Sequence, residues 1–138
     1  MTTNWNSLGE AKVLIADDDA FNRQLIIALV AKIPNIKIIE ASDGLDALRI
    51  LNRESIDMLL LDYHMPKMRG DELLQMIKKD RELAKIPVAI ITTDESEMRH
   101  LYTLGADDFI LKPFNFQKLK LCLYKHIKRN EDNTLCRV

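Results

Sequence analysis

Five short apolar runs, each closed by a polar residue and each followed by a stretch of helical periodicity, limit this chain to few folds. The runs span 12–16, 36–40, 58–61, 88–91 and 109–111. Apolar runs of this length between turn residues read as strands, and those lacking alternation read as strands buried on both faces. Helical stripes separate them. Phe21, Leu25, Ala28 and Leu29 share one face, then Ala47, Leu48, Ile50 and Leu51, then Leu73, Leu74 and Ile77. Met98, Leu101 and Leu104 follow, and Leu119, Cys122, Leu123, His126 and Ile127 close the series. Strands alternating with helices predict an α/β fold: a doubly wound sheet of five parallel strands with five helices and right-handed crossovers. Lys37 in the second run places that strand at a sheet edge.

Local punctuation supports the element boundaries. Pro34-Asn35 stops the first helix, Ser42-Asp43-Gly44 turns into the second, and Gly105 ends the fourth. Asp19 is placed to cap the first helix through its free amides. Residues 1–10 read as a polar leader, 11–129 as one domain, and 130–138 as a loose polar tail.

Composition narrows the function. The 138 residues are 47% hydrophobic, enough for one domain with a real core. A net charge of −1 offers no electrostatic footprint for nucleic acid or anionic lipid. The start, MTTNWNSLGEAK, does not read as a signal peptide, and no apolar stretch approaches membrane-spanning length. Cys122 and Cys136 form no CxxC pair, and His64, His100 and His126 are scattered, so neither a disulfide framework nor a zinc site is expected. A reduced, cytoplasmic domain is the expectation.

Parallel strands end on one sheet edge, where open α/β sheets bind their ligands. Reading the ends of the runs gives Asp17 and Asp18, then Asp62, Thr92 and Lys112. Any one strand-ending Asp is more often a cap or a solvated loop residue; convergence of all five argues for chemistry. Two carboxylates about 4 Å apart repel by roughly 4 kcal/mol at an effective dielectric of 20, so the acids call for a cation. Hard oxygen ligands that leave room for water and phosphate suit Mg²⁺ better than zinc. A carboxylate at a strand tip can act as a nucleophile and form an acyl phosphate. Lys112 then offers a point charge and Thr92 a hydroxyl for the phosphoryl oxygens.

The elements VLIADDD, EASDGLDAL, LLLDYHMPKMRGDEL, PVAIITT and GADDFILKPF resemble, in order and spacing, the response-regulator receiver domain of two-component signalling, the CheY-like family. Asp62 lies 44 residues after Asp18, Thr92 lies 30 after Asp62, and Lys112-Pro113 begins 20 after Thr92. The resemblance implies a flavodoxin-like strand order 2-1-3-4-5. It makes Asp62 the phosphoacceptor, with Thr92 and Lys112 binding the phosphoryl group. It makes Asp18 a direct Mg²⁺ ligand, Asp17 one that often acts through water, and the backbone carbonyl of His64 a further ligand. It implies a cis Lys112–Pro113 bond, a histidine kinase or histidine phosphotransfer protein as donor, and slow self-catalysed dephosphorylation tuned by His64, Thr93 and Asp94. Thr92 and Phe109 become the switch pair, altering the face of the fourth helix, fifth strand and fifth helix, with dimerisation through that face on phosphorylation. Tyr102, Leu121 and Tyr124 lie on or near this face or are ordinary flanks of packed helices.

Three departures stand out. The triple Asp leaves the register open by one residue, and Asp17 with Asp18 is the choice because Asp17 directly follows the strand. Met68-Arg69-Gly70 lacks the Asp common before the Gly. Phe109 replaces the common Tyr, so the ring can rotate but has no hydroxyl. The alternative reading is a receiver-fold interaction module that works without phosphorylation. A haloacid dehalogenase-type phosphatase would want an acid where His64 stands, and a flavodoxin-like cofactor binder would want a Gly-rich phosphate loop.

Overall fold

In a computed structural model, residues 10–63, 65 and 68–136 are described, with side chains to residue 127. The strands are β1 (Ala11–Ala16), β2 (Ile36–Ala41), β3 (Met58–Asp62), β4 (Val88–Thr92) and β5 (Asp108–Leu111). The helices are α1 (Ala20–Val30), α2 (Gly44–Arg53), α3 (Gly70–Lys79), α4 (Met98–Leu104) and α5 (Phe116–Cys136). All strand pairs are parallel, in the order β2-β1-β3-β4-β5. The expected fold and strand order are both present, with the Lys37 strand at an edge.

The strand period of two divides the core. Leu14, Ala16, Leu59, Leu61, Val88 and Ile90 face one layer, where Ala47 and Leu51 of α2, Leu73 and Ile77 of α3 and Leu101 of α4 pack against them. Val13, Ile15, Met58, Leu60, Ala89 and Ile91 face the other, against Ile26 and Val30 of α1 and Leu119, Leu123 and Ile127 of α5. Every residue of β3 is buried, so consecutive side chains serve opposite layers. Each fully buried Leu or Ile stabilises the fold by about 1.5–3 kcal/mol relative to exposure.

One helix packs by a face other than the expected one. Phe21 is 75% exposed and Leu25 51%, and Ala28 is exposed, whereas Ile26 and Val30 are buried. With eight apolar residues in its eleven positions, α1 carries more than one apolar stripe, and the angle at which it meets the sheet selects one. At the other end, α5 continues to Cys136 through residues expected as a loose tail. No glycine or proline follows Phe116, so nothing in the sequence compels a stop.

The predicted stops are present. Asp19 caps α1, accepting from the amides of Phe21 and Asn22. Asn35 takes a positive φ of 64°, and Gly105 ends α4 at φ 113°. Gly70 has a different reason. A Cβ there would lie 3.0 Å from the Tyr63 Cα, and the Gly70 amide donates to the Tyr63 carbonyl at 3.0 Å. The loop after β3 is therefore drawn tight against the strand end. Among the described residues no helix is long and apolar enough to cross a membrane.

Candidate functional site

The sheet register brings the strand ends to one rim. Ala16 pairs with Leu61 and Asp62 with Ile91, so Asp17, Asp62 and Thr92 emerge within a residue of one another on neighbouring strands. Thr92 in turn pairs with Leu111, which puts Lys112 one step beyond. The Lys112 amide donates to the Thr92 carbonyl at 2.9 Å, and the Lys112–Pro113 peptide is cis.

The three carboxylates converge: Asp17, Asp18 and Asp62 each offer an oxygen within 4.8 Å of the others. Asp17 and Asp62 are buried and Asp18 is exposed. Donors fix Asp17 on both sides. Its Oδ1 accepts from the Asp19 amide at 2.9 Å and its Oδ2 from the Asn22 side-chain amide at 2.8 Å. Arg23 Nη1 donates to the Asp17 carbonyl at 2.6 Å, and Arg23 Nε meets Glu40 at 2.9 Å. The triple Asp thus divides its work, Asp19 capping the helix while Asp17 and Asp18 face Asp62.

Lys112 Nζ lies 3.8 Å from Asp62 Oδ1, both side chains partly or wholly withdrawn from water. Thr92 is fully buried, and its Oγ1 accepts from the Asp94 amide at 3.1 Å. Asp94 in turn accepts from the Ser96 amide at 2.9 Å, an N-cap arrangement for the turn at Glu95–Glu97. His64 lies outside the described residues.

Sequence reasoning missed several residues around this rim. Asn22 and Arg23 close the DDDAFNR stretch, whose start resembles many hybrid-kinase receivers, but only the first turn of α1 folding back over β1 reveals what they hold. Tyr63 is buried, and its hydroxyl reaches Glu97 Oε2 at 3.3 Å while accepting from Arg69 Nη2 at 3.1 Å. Arg69, the residue that departs from the common loop pattern, also lies 3.4 Å from Asp71. The Tyr63 hydrogen bond, then Asp71, push the Arg69 guanidinium above its ordinary value. This ties the loop after β3 to the turn before α4. Phe109, expected as part of a switch, meets Tyr102 edge-on, with ring centroids 4.6 Å apart at 63°. Tyr102 and Leu121 are largely exposed, whereas Tyr124 packs against the α1/α5 layer.

Comparison with known proteins agrees with this fold. The family model described as response regulator receiver domain matches residues 13–124. The chemotaxis protein CheY-3 of Vibrio cholerae is 34% identical over 120 residues, covering 86% of this chain and 92% of that protein. The receiver domain of a Francisella response regulator superposes with a TM-score of 0.79 at 30% identity, covering 87% of this chain and 98% of that one. A receiver domain of a sensor histidine kinase from Pseudomonas aeruginosa, solved with a magnesium ion coordinated in its active site cleft, shares the fold. Its TM-score is 0.80 at 21% identity, over 87% of this chain and 99% of that one.

Proposed function

This chain belongs to the response regulator receiver domain family, and we propose that it is a phosphorylation-dependent signalling switch with Asp62 as its phosphoacceptor. The donor is a phosphohistidine on a histidine kinase or a histidine phosphotransfer protein. An Asp62 carboxylate oxygen attacks the phosphorus, and the new O–P bond forms as the N–P bond breaks. The bonding pair stays on the donor imidazole, which is then protonated. Lys112, an ammonium 3.8 Å from the attacking carboxylate, offsets the phosphoryl charge. The Thr92 hydroxyl donates to a phosphoryl oxygen once it gives up its contact with the Asp94 amide.

The donor set suits Mg²⁺: three carboxylates, all hard oxygen, clustered within 4.8 Å. Asp18 and Asp62 would hold the ion directly, Asp17 through water, and the His64 backbone carbonyl is the further ligand that the family implies. Mg²⁺ supplies charge neutralisation at the carboxylates and at the incoming phosphoryl oxygens. Asp17, held on both oxygens by Asp19 and Asn22, is oriented in advance for that role. The domain acts as a regulatory phosphoacceptor rather than a turnover enzyme, and it returns to rest by slow hydrolysis of its own acyl phosphate.

The added phosphate brings about −1.5 to −2 charges beside Lys112. Thr92 turns towards it, Phe109 follows into the space left, and the α4–β5–α5 face changes. That face then engages a downstream protein or a second copy of the chain. The convergence of Asp62, Lys112 and the acidic cluster at one rim is the observation that carries this reading. Incubation with Mg²⁺ and acetyl phosphate, followed by intact mass, tests it. One phosphoryl is expected, dependent on Mg²⁺ and absent in Asp62→Asn; labelling that survives this substitution would overturn the assignment.

A further inference from the structure

A second cluster of metal-binding side chains lies away from the acidic rim, between β5 and α5. Asp108, Cys122 and His126 each offer one donor atom, all within 4.8 Å of one another. Cys122 and His126 are one helical turn apart on the buried side of α5, and Asp108 opens β5 opposite them. No sequence spacing reveals this grouping, because the third member comes from a strand that the fold brings back under the helix.

We infer that these three residues form a zinc-binding site. Its donors are one sulfur, one imidazole nitrogen and one carboxylate oxygen, a set that suits zinc and excludes the hard cations. A thiolate and a carboxylate together balance the two charges of the ion, so the buried site becomes neutral when filled. His126 is 1% exposed. Nε2 lies 2.9 Å from Asp108 Oδ2, while the buried Nδ1 has no hydrogen-bond partner among the described residues. A cleft of about 390 Å³, bordered by Met98, Leu121 and Lys125, reaches two members of the cluster, Asp108 and Cys122. It gives the ion a path in and supplies water for the fourth position of a three-ligand site.

Binding releases one proton to solvent, the thiol proton of Cys122. The imidazole stays neutral: Nε2 turns its lone pair to the metal, and its proton moves to Nδ1. Asp108 exchanges its hydrogen bond to His126 for the metal and keeps the Phe109 amide, which donates to Oδ1 at 2.8 Å. The filled site fastens α5 to β5, beside Phe109. Zinc binding here stands independently of phosphorylation at Asp62.

Cobalt(II) is the probe, because a thiolate ligand gives it a charge-transfer band that oxygen ligands do not. The 138-residue chain carrying Cys136→Ser is titrated with Co²⁺ in excess Mg²⁺, so that Cys122 is its one thiol and the acidic rim is occupied. One equivalent should produce the thiolate band together with intense tetrahedral visible bands, and one equivalent of Zn²⁺ should bleach both. Cys122→Ser should abolish the band. Outer-shell partners alone are worth 10–100-fold in metal affinity, so the near-isosteric Asp108→Asn should weaken binding by at least about tenfold. Circular dichroism confirms that both variants are folded, and a fold lost in either is replaced by His126→Gln in the same titration. Absence of the thiolate band in the Cys136→Ser chain overturns the site, as does unchanged affinity in Asp108→Asn.

Discussion

Lys112 Nζ faces Asp62 Oδ1 at 3.8 Å across the ends of β3, β4 and β5, close enough for charge attraction but too far for a hydrogen bond. The gap matters. A lysine bonded tightly to the carboxylate would hold the attacking oxygen, whereas one held back can meet the incoming phosphoryl group. Lys112→Ala is expected to slow labelling by acetyl phosphate by about 100- to 1,000-fold, the usual cost of losing one stabiliser of transition-state charge. Time courses of intact mass check this; a rate within threefold of the unmodified protein would contradict the role.

Mg²⁺ held at the acidic rim, as proposed, would make its removal visible in stability. Mg²⁺ at a hundred times its dissociation constant should stabilise the fold by about 2.7 kcal/mol, and chelation should reverse it. Asp18→Asn removes one of three mutually repelling carboxylates. The metal-free variant should gain up to about 1 kcal/mol, modest because Asp18 is exposed and screened, and should lose its response to Mg²⁺. Urea unfolding with and without chelator reads both effects.

Gly70 is required by its distance to Tyr63, not by an unusual backbone angle. A methyl group there meets backbone 3.0 Å away, which cannot yield as a side-chain end would. Gly70→Ala should cost about 1–3 kcal/mol, as overpacking does. It should also slow phosphorylation, because the displaced loop begins one residue after Asp62. Chemical denaturation and labelling rate should therefore change together in this variant.

The edge-on contact between Tyr102 and Phe109 gives the proposed switch an observable. If Phe109 changes rotamer on phosphorylation, aromatic proton resonances of Tyr102 should shift with the acyl phosphate and return as it hydrolyses. In Phe109→Leu the shift should be lost while the mass increase remains. Tyr102 resonances unchanged in the phosphorylated protein would exclude motion of this pair.

Burial, and then Asp108, push the Cys122 thiol well above its ordinary value of 9.0. In metal-free Cys136→Ser protein, native Cys122 should resist a disulfide reagent, with no rise in rate between pH 7 and 9. Because the folded state disfavours the thiolate, raising pH towards 9.0 ionises the thiol in unfolded chains alone. In the denatured chain the rate should rise about 25- to 50-fold from pH 7 to pH 9, levelling off as the thiolate fraction approaches its limit. Equal native and denatured rates would show that the helix opens readily.

Much of this molecule is legible in its sequence. Strand length, the polar residue closing each run and the Asp19 cap depend on near neighbours in the chain, and local sterics with hydrogen bonding decide them. The parallel sheet follows from helices between strands, and one shared rim follows from the sheet being parallel. Asp17, Asp18, Asp62, Thr92 and Lys112 could therefore be brought together from their places at strand ends alone.

What the sequence could not determine depends on angles and on distant partners. The stripe of α1 that packs is chosen by how the helix meets the sheet, which buries Ile26 and Val30 and leaves Phe21 and Leu25 in water. Asn22 gripping Asp17, Tyr63 linking Arg69 to Glu97, and Asp108 lying against His126 are all contacts between elements. Periodicity places a side chain on a face of its own helix or strand, but only packed elements fix which atom it meets. The sequence by itself determined the rim and its five polar groups; the tertiary structure decided what holds those groups in place, and it formed a second cluster that no spacing in the chain announces.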